Sequence, residues 1–261
     1  MTVKLYAATT RRVLPRASRL GSEQRLVFVV GSPRSGTTFL GGAIGSLPGF
    51  VDLGEVAPLK AAIPDLYGRP GAAGHIRAIV DRVRRLGLVT GLRAVEQTPE
   101  VSFVLDEALA AFPQASAVHI VRDGRDVVCS LLERGWLGIG RTGVDDARLP
   151  YGERARFWVE PERVAEFERA SEATRAAWAW RRYVSAAREC GERTLEIRYE
   201  SLAQAHDALA AHLDVPAAAV REALAGAHTA SIGRFRRDLN AEQLEEVERE
   251  AGPLLRELGY E

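Results

Sequence analysis

Lysine is nearly missing from this 261-residue sequence: it occurs only at Lys4 and Lys60, and every other basic residue is arginine. Any lysine-dependent mechanism therefore has two candidates. Cysteine is as scarce. Cys129 and Cys190 lie far apart without CxxC or Cys/His spacing, which argues against a disulfide framework or a structural zinc site and fits a reducing compartment. No apolar run approaches the ~20 residues that span a bilayer. The N-terminus carries Lys4, Arg11 and Arg12 but no sustained apolar core or cleavage pattern, so no secretory signal is read and a cytoplasmic location is expected. Net charge is missing too. Lys+Arg and Asp+Glu each total 35, which disfavours a general nucleic-acid or acidic-membrane binder while leaving room for a local basic site.

What is present is a globular chain, 46% hydrophobic and 27% charged, long enough for a sizeable core. Residues 1–24 read as a polar, Arg-rich arm. Leu26-Val27-Phe28-Val29-Val30 is a short β-branched run of the kind buried on both faces of a parallel sheet. A helix over 39–47, a short segment Phe50-Val51-Asp52-Leu53, and broken helices over 56–91 follow. Leu92–Glu96 reads as a strand. Thr98 and Pro99 read as N-cap and first residue of a helix to Ala111. Ala117–Val121 is a second buried-type strand, leading to a helix over 125–134. Residues 138–160 read as a long loop, 161–189 as one long helix, 195–199 as a strand, 201–213 as a helix with another starting at Val215-Pro216, and 241–257 as the last helix. Without repeats or a low-complexity linker, the expectation is one domain over 25–261. Its class is α/β, a three-layer P-loop-type fold with a central parallel sheet flanked by helices.

Two segments carry chemistry. Gly31-Ser32-Pro33-Arg34-Ser35-Gly36-Thr37-Thr38 joins the first strand to a helix, and its glycines have the spacing of a phosphate-cradling loop. Thr37 stands where a nucleotide hydrolase has lysine, and the cation sits inside the loop at Arg34. The magnesium-dependent chemistry of that lysine is therefore disfavoured. The second segment, Arg122-Asp123-Gly124-Arg125-Asp126-Val127-Val128-Cys129-Ser130, starts at the carboxyl end of a strand, where α/β sheets place ligands. Ser130 and Arg134, four residues apart, share a helix face. With Arg122 they could bracket one phosphate.

GSPRSGTTFL followed by VHIVRDGRDVVCSLLERGW resembles the PAPS-dependent sulfotransferase family, where PAPS is 3′-phosphoadenosine-5′-phosphosulfate. The likeness is to its bacterial and tyrosylprotein-type branch, and it covers residues 25–260. The resemblance implies that Arg34, Ser35, Gly36, Thr37 and Thr38 hold the 5′-phosphosulfate, and that Arg122, Ser130 and Arg134 hold the 3′-phosphate. Tyr199 in Arg198-Tyr199-Glu200-Ser201-Leu202 is similar to a family tyrosine near the nucleotide. Ser231-Ile232-Gly233-Arg234-Phe235 is similar to a late loop that closes over it. Glu55 in Leu53-Gly54-Glu55 matches a family Gly-Glu pair whose glutamate is catalytic. What the resemblance implies is transfer of a sulfuryl group from PAPS to a hydroxyl acceptor, releasing PAP, with no metal required.

Departures and rivals remain. Glu96-Gln97-Thr98-Pro99 is similar to a segment that usually reads Lys-Thr-Pro, and Gln97 replaces the lysine. Lys60 could reach the same cleft from the segment after Glu55, although it reads first as a surface lysine. Histidine is the rival base, although His119 reads as a core residue and His75, His206, His212 and His228 lack a motif. All four tryptophans, Trp136, Trp158, Trp178 and Trp180, fall with Tyr151 and Phe157 in a region, 136–185, that reads either as an acceptor lid or, for Trp178 and Trp180, as core. Arg141, Arg148, Arg154 and Arg156 would favour an acidic peptide or carbohydrate acceptor if they face it; a small molecule or lipid is equally open. Other functions left open are a P-loop nucleotide kinase or NTPase and a non-catalytic PAP-binding protein.

Overall fold

The computed structural model describes residues 22–138, 159–191, 193–228 and 230–260. Five strands form one sheet: β1 (Val27–Val30), β2 (Phe50–Gly54), β3 (Arg93–Glu96), β4 (Ser116–Val121) and β5 (Thr194–Arg198). Their order is β2-β3-β1-β4-β5, and every pairing is parallel. The helices used below are α1 (Thr37–Gly45), α2 (Ala57–Leu66), α3 (Ala72–Gly87), α4 (Leu105–Ala111), α5 (Gly124–Arg134), α6 (Val164–Arg169), α7 (Glu172–Arg188), α8 (His206–Leu213), α9 (Ala217–Ala223), α10 (Phe235–Asp238) and α11 (Ala241–Glu257).

The alternation along β1 builds the three layers. Val27 and Val29 point to the side covered by α1, α8 and α9, where they meet Leu40, Ile44, Leu209 and Val220. Phe28 and Val30 point to the other side, against Leu59 of α2, Ile76 of α3 and Leu105 of α4. A further cluster unites Val127 and Leu131 of α5, Trp180 and Tyr183 of α7, and Val247 and Leu255 of α11. Because β1 is apolar toward both layers, it has to be a central strand.

The topology also locates the site. The chain leaves β1 toward the β2 edge and leaves β4 toward the β5 edge. Adjacent strands whose connections diverge open a crevice at their carboxyl ends, so the loops after β1 and β4 face a shared hollow.

Two local expectations are corrected, and one open alternative is decided. Residues 161–189 form a 3₁₀ turn, Pro161–Arg163, and two α-helices, α6 and α7, the break falling where Ser171 caps α7 by accepting the Thr174 N–H at 3.1 Å. Pro99–Val104 is a 3₁₀ turn preceding α4; Thr98 and Pro99 take the expected N-cap and first positions, but the Thr98 side chain makes no capping bond. The Thr98 hydroxyl instead donates to the Glu96 carboxylate. Trp178 and Trp180 are fully buried core residues, so the aromatic-lid reading fails for both. Tyr151, Phe157, Trp158 and the arginines between 141 and 156 lie outside the described residues.

Candidate anion-binding site

The loop after β1 is shaped by close approaches. A Cβ at Gly31 would stand 2.5 Å from the Ile120 carbonyl oxygen, and one at Gly36 would stand 2.8 Å from the Tyr199 ring. Both also have positive φ, 146° and 100°, so glycine is required twice over. α1 begins directly after Gly36 with no acidic residue in its first turn. Its leading N–H groups have no partners within the helix, and they make an anion-seeking end facing the hollow.

The turn after β4 is pinned from beneath. Trp180 donates its indole N–H to the Arg122 carbonyl at 3.0 Å, and its ring leaves no room for a Cβ at Gly124. Asp123 caps α5 by accepting the Arg125 N–H, and Glu200 accepts the Asp123 N–H at 2.8 Å. Arg122 is thereby aimed across the crevice. Its guanidinium donates to the Arg34 carbonyl at 3.1 Å and to the Ser231 carbonyl at 2.7 Å, and it lies 4.5 Å from the Tyr199 ring centre. Arg34 donates from Nε to the Ser130 hydroxyl at 3.0 Å, which joins the two sequence motifs directly.

The late loop is fastened by a residue that sequence reading passed over. Asp126 is fully buried, and its carboxylate accepts the N–H of Gly233 at 2.7 Å and of Phe235 at 3.0 Å. Tyr199 donates its hydroxyl to the His228 carbonyl at 2.9 Å.

These segments enclose a cavity of about 460 Å³. Of the expected ligand residues, Arg34, Gly36, Thr37, Thr38, Arg122, Ser130, Tyr199, Ser231 and Arg234 line it; Phe39, Glu133, His228 and Ala230 join them unforeseen. Ser35 is buried in the loop, and Gly233 serves through its backbone bond to Asp126. Arg134 lines an adjoining hollow with Glu172 and Arg175 instead, its guanidinium 5.5 Å from the Trp136 ring centre. Arg234 is ion-paired to Glu133 and, at 2.6 Å, to Asp238. Two buried polar atoms, Ser35 Oγ and Arg122 Nε, have no hydrogen-bond partner among the described residues. Arginine-rich walls, a helix N-terminus and orphaned donors all fit a polyanionic ligand.

A second polar cluster lies at the same carboxyl edge of the sheet, after β2. Glu55 follows Gly54 and accepts a bond from Lys60 Nζ at 2.6 Å. Lys60 also pairs with Glu100 at 3.4 Å, and Tyr183 donates its hydroxyl to Glu100 at 3.1 Å. Lys60 is buried, which corrects the surface reading; a paired ammonium can be buried when a bare one cannot. Glu96 is fully buried beside this group. Its Oε1 accepts the N–H of Thr98 at 3.0 Å and of Val56 at 3.3 Å, while Oε2 has no partner among the described residues. Burial pushes its carboxyl up to about 8, and the charge of Glu55 adds to the effect. Gln97, in the place of the family's lysine, is buried against Gly41.

The histidines are placed elsewhere. His119 is buried in β4 near Glu196 at 3.2 Å, and burial lowers its proton affinity. His75, His206 and His212 each face a backbone carbonyl, and His228 stands exposed at the rim of the cavity. Among the described residues no group of three His, Cys, Asp or Glu side chains is arranged to hold a metal ion, and no helix is long and apolar enough to cross a membrane.

No protein-family model matches the sequence, and no curated protein matches it. Solved structures do. A sulfotransferase domain from the curacin biosynthetic pathway is 15% identical with a TM-score of 0.55, over 92% of this chain and 99% of that one. A sulfotransferase domain from the olefin synthase of Synechococcus PCC 7002 is 16% identical with a TM-score of 0.53, over 88% and 95%. Mouse sulfotransferase SULT7A1, solved in complex with PAP, is 14% identical with a TM-score of 0.50, over 93% and 89%. The likeness establishes the fold, a parallel P-loop-type α/β sheet shared with these sulfotransferases.

Proposed function

We propose that the chain is a PAPS-dependent O-sulfotransferase. The observation that carries the reading is the convergence of Arg34, Arg122, Ser130 and the α1 N-terminus on one cavity at the divergence of β1 and β4. When bound, PAPS would supply an electrophilic sulfuryl group with a phosphate leaving group. Arg34 and the N–H groups of its loop would stabilise charge developing on the leaving oxygen. Arg122 and Ser130 would hold the 3′-phosphate, with Ser231, Gly233 and Arg234 closing over the nucleotide. Arg134 would help only at the margin, because it lines the adjoining hollow.

Glu55 is the proposed base for the acceptor hydroxyl. It stands on the carboxyl edge of the sheet, after a strand separated from β1 only by β3, and it is paired and part-buried. The acceptor is a hydroxyl compound, and a cytoplasmic, bacterial setting completes the proposal. Thr37, occupying the position of the NTPase lysine, counts against a kinase or NTPase.

Calorimetric titration with PAP and with ATP·Mg²⁺ tests the ligand: binding of PAP and not ATP·Mg²⁺ is expected, and the reverse preference overturns the reading. Glu55→Gln is expected to abolish sulfated products, detected by mass spectrometry after incubation with labelled PAPS and a metabolite extract, while leaving PAP affinity unchanged. Undiminished product formation would remove Glu55 from the role.

A further inference from the structure

Only one described lysine exists in this chain, and it is buried among acids. The Lys60 side chain is 6% exposed and touches two carboxylates, Glu55 at 2.6 Å and Glu100 at 3.4 Å. Two further described elements reach this cluster: Glu96 approaches from β3 with its carboxyl raised by burial, and Tyr183 from α7 bonds the far oxygen of Glu100. The Lys60 ammonium therefore serves both Glu55 and Glu100. Glu100 is buried and anchored by Tyr183, whereas Glu55 is part-exposed. Lys60 is thus braced on its inner side and presents its charge to Glu55.

We propose that Lys60 is a positioning residue, whose ammonium holds Glu55 ionised and fixed in direction; this rests on Glu55 being the base. Neighbouring carboxyl groups in a poorly solvated setting resist sharing negative charge, and one of them retains its proton. Lys60 offsets that tendency. Without it, Glu55 would lose a positive charge 2.6 Å away and would be protonated over more of the neutral range.

The test is a ¹³C NMR titration of the glutamate side-chain carboxyls, with the Glu55 resonance identified by its loss in Glu55→Gln. Lys60→Met is expected to raise the Glu55 midpoint by about 1–2 pH units, and Lys60→Arg, which keeps the charge, by less than about half a unit. Glu100→Gln is expected to lower it, since a competing acid is gone and the ammonium is left to Glu55. An unmoved midpoint in Lys60→Met overturns the proposal, even if the variant is less stable, because a merely structural lysine would give that result. Should Lys60→Met fail to fold, Glu100→Gln decides, and an unmoved midpoint there overturns it equally. PAP calorimetry on the same variants separates the two readings. Parent protein that fails to bind PAP refutes the nucleotide assignment, while the titration still decides what Lys60 does to Glu55.

Discussion

Glu96→Gln removes one titrating proton from the interior while conserving shape. In the folded chain the Glu96 carboxyl is pushed up from 4.5 to about 8 by burial. Below the lower value both folded and unfolded chains carry the proton, and the group leaves stability independent of pH. Between the two values only the folded chain holds it, so unfolding releases a proton and stability falls by about 1.4 kcal/mol per pH unit. Above the upper value both have lost it, and the decline ends. The ceiling of the effect is roughly 5 kcal/mol, as large as the whole net stability of many domains. The amide is neutral throughout. Its oxygen keeps the Val56 and Thr98 N–H donors, and its nitrogen replaces Oε2, which has no partner among the described residues. Parent and variant should therefore agree within about 1 kcal/mol near pH 5, and the variant should be the more stable by several kcal/mol at pH 8.5. Urea denaturation followed by tryptophan fluorescence from pH 5 to pH 9 measures this. Parallel decline of the two proteins would refute the assignment of the proton to Glu96.

Gly36→Ala places a methyl 2.8 Å from the Tyr199 ring at a positive φ, and should cost about 1–3 kcal/mol in chemical denaturation and abolish PAP binding. Asp126→Ala leaves the Gly233 and Phe235 N–H groups without their acceptor. A loss of about 2–4 kcal/mol is expected, with PAP affinity weakened more than about tenfold by calorimetry. Arg122→Lys exchanges a fork bridging two carbonyls for a point charge and should weaken PAP by more than about tenfold with little change in melting temperature.

Local chemistry made part of this molecule readable in advance. The apolar run of β1, the glycine spacing after it and the Arg-Asp-Gly turn after β4 are short-range features, and the cavity assembles from them as expected. What escaped reading depends on distant partners. Nothing in Ala-Pro-Leu-Lys60-Ala-Ala-Ile-Pro announces a buried lysine, because the acid that brackets it from the far side, Glu100, lies forty residues on. Asp126 reads as an ordinary first-turn acid until its acceptors are seen to hold a loop more than a hundred residues away. The stretch 161–189 reads as one helix, and the break depends on the Ser171 hydroxyl accepting the Thr174 N–H, a contact settled only in the folded chain. Trp178 and Trp180 read equally as acceptor lid or as core, because an aromatic pair carries no mark of what will cover it. In fact one packs on Phe167 and bonds Glu160, while the other supports the β4 turn.

Arg34 holds a φ of 73°, in the left-handed region, where an L residue sits about 1–2 kcal/mol above its preferred conformation. Glycine would relax the loop at that position, so a search for thermostabilising substitutions would favour replacing Arg34. Such a variant would melt later or no earlier and would have lost the cation that reaches Ser130. Thermal robustness and anion capture thus pull in opposite directions at one residue, and directed evolution for heat tolerance alone would be expected to erase the loop's charge.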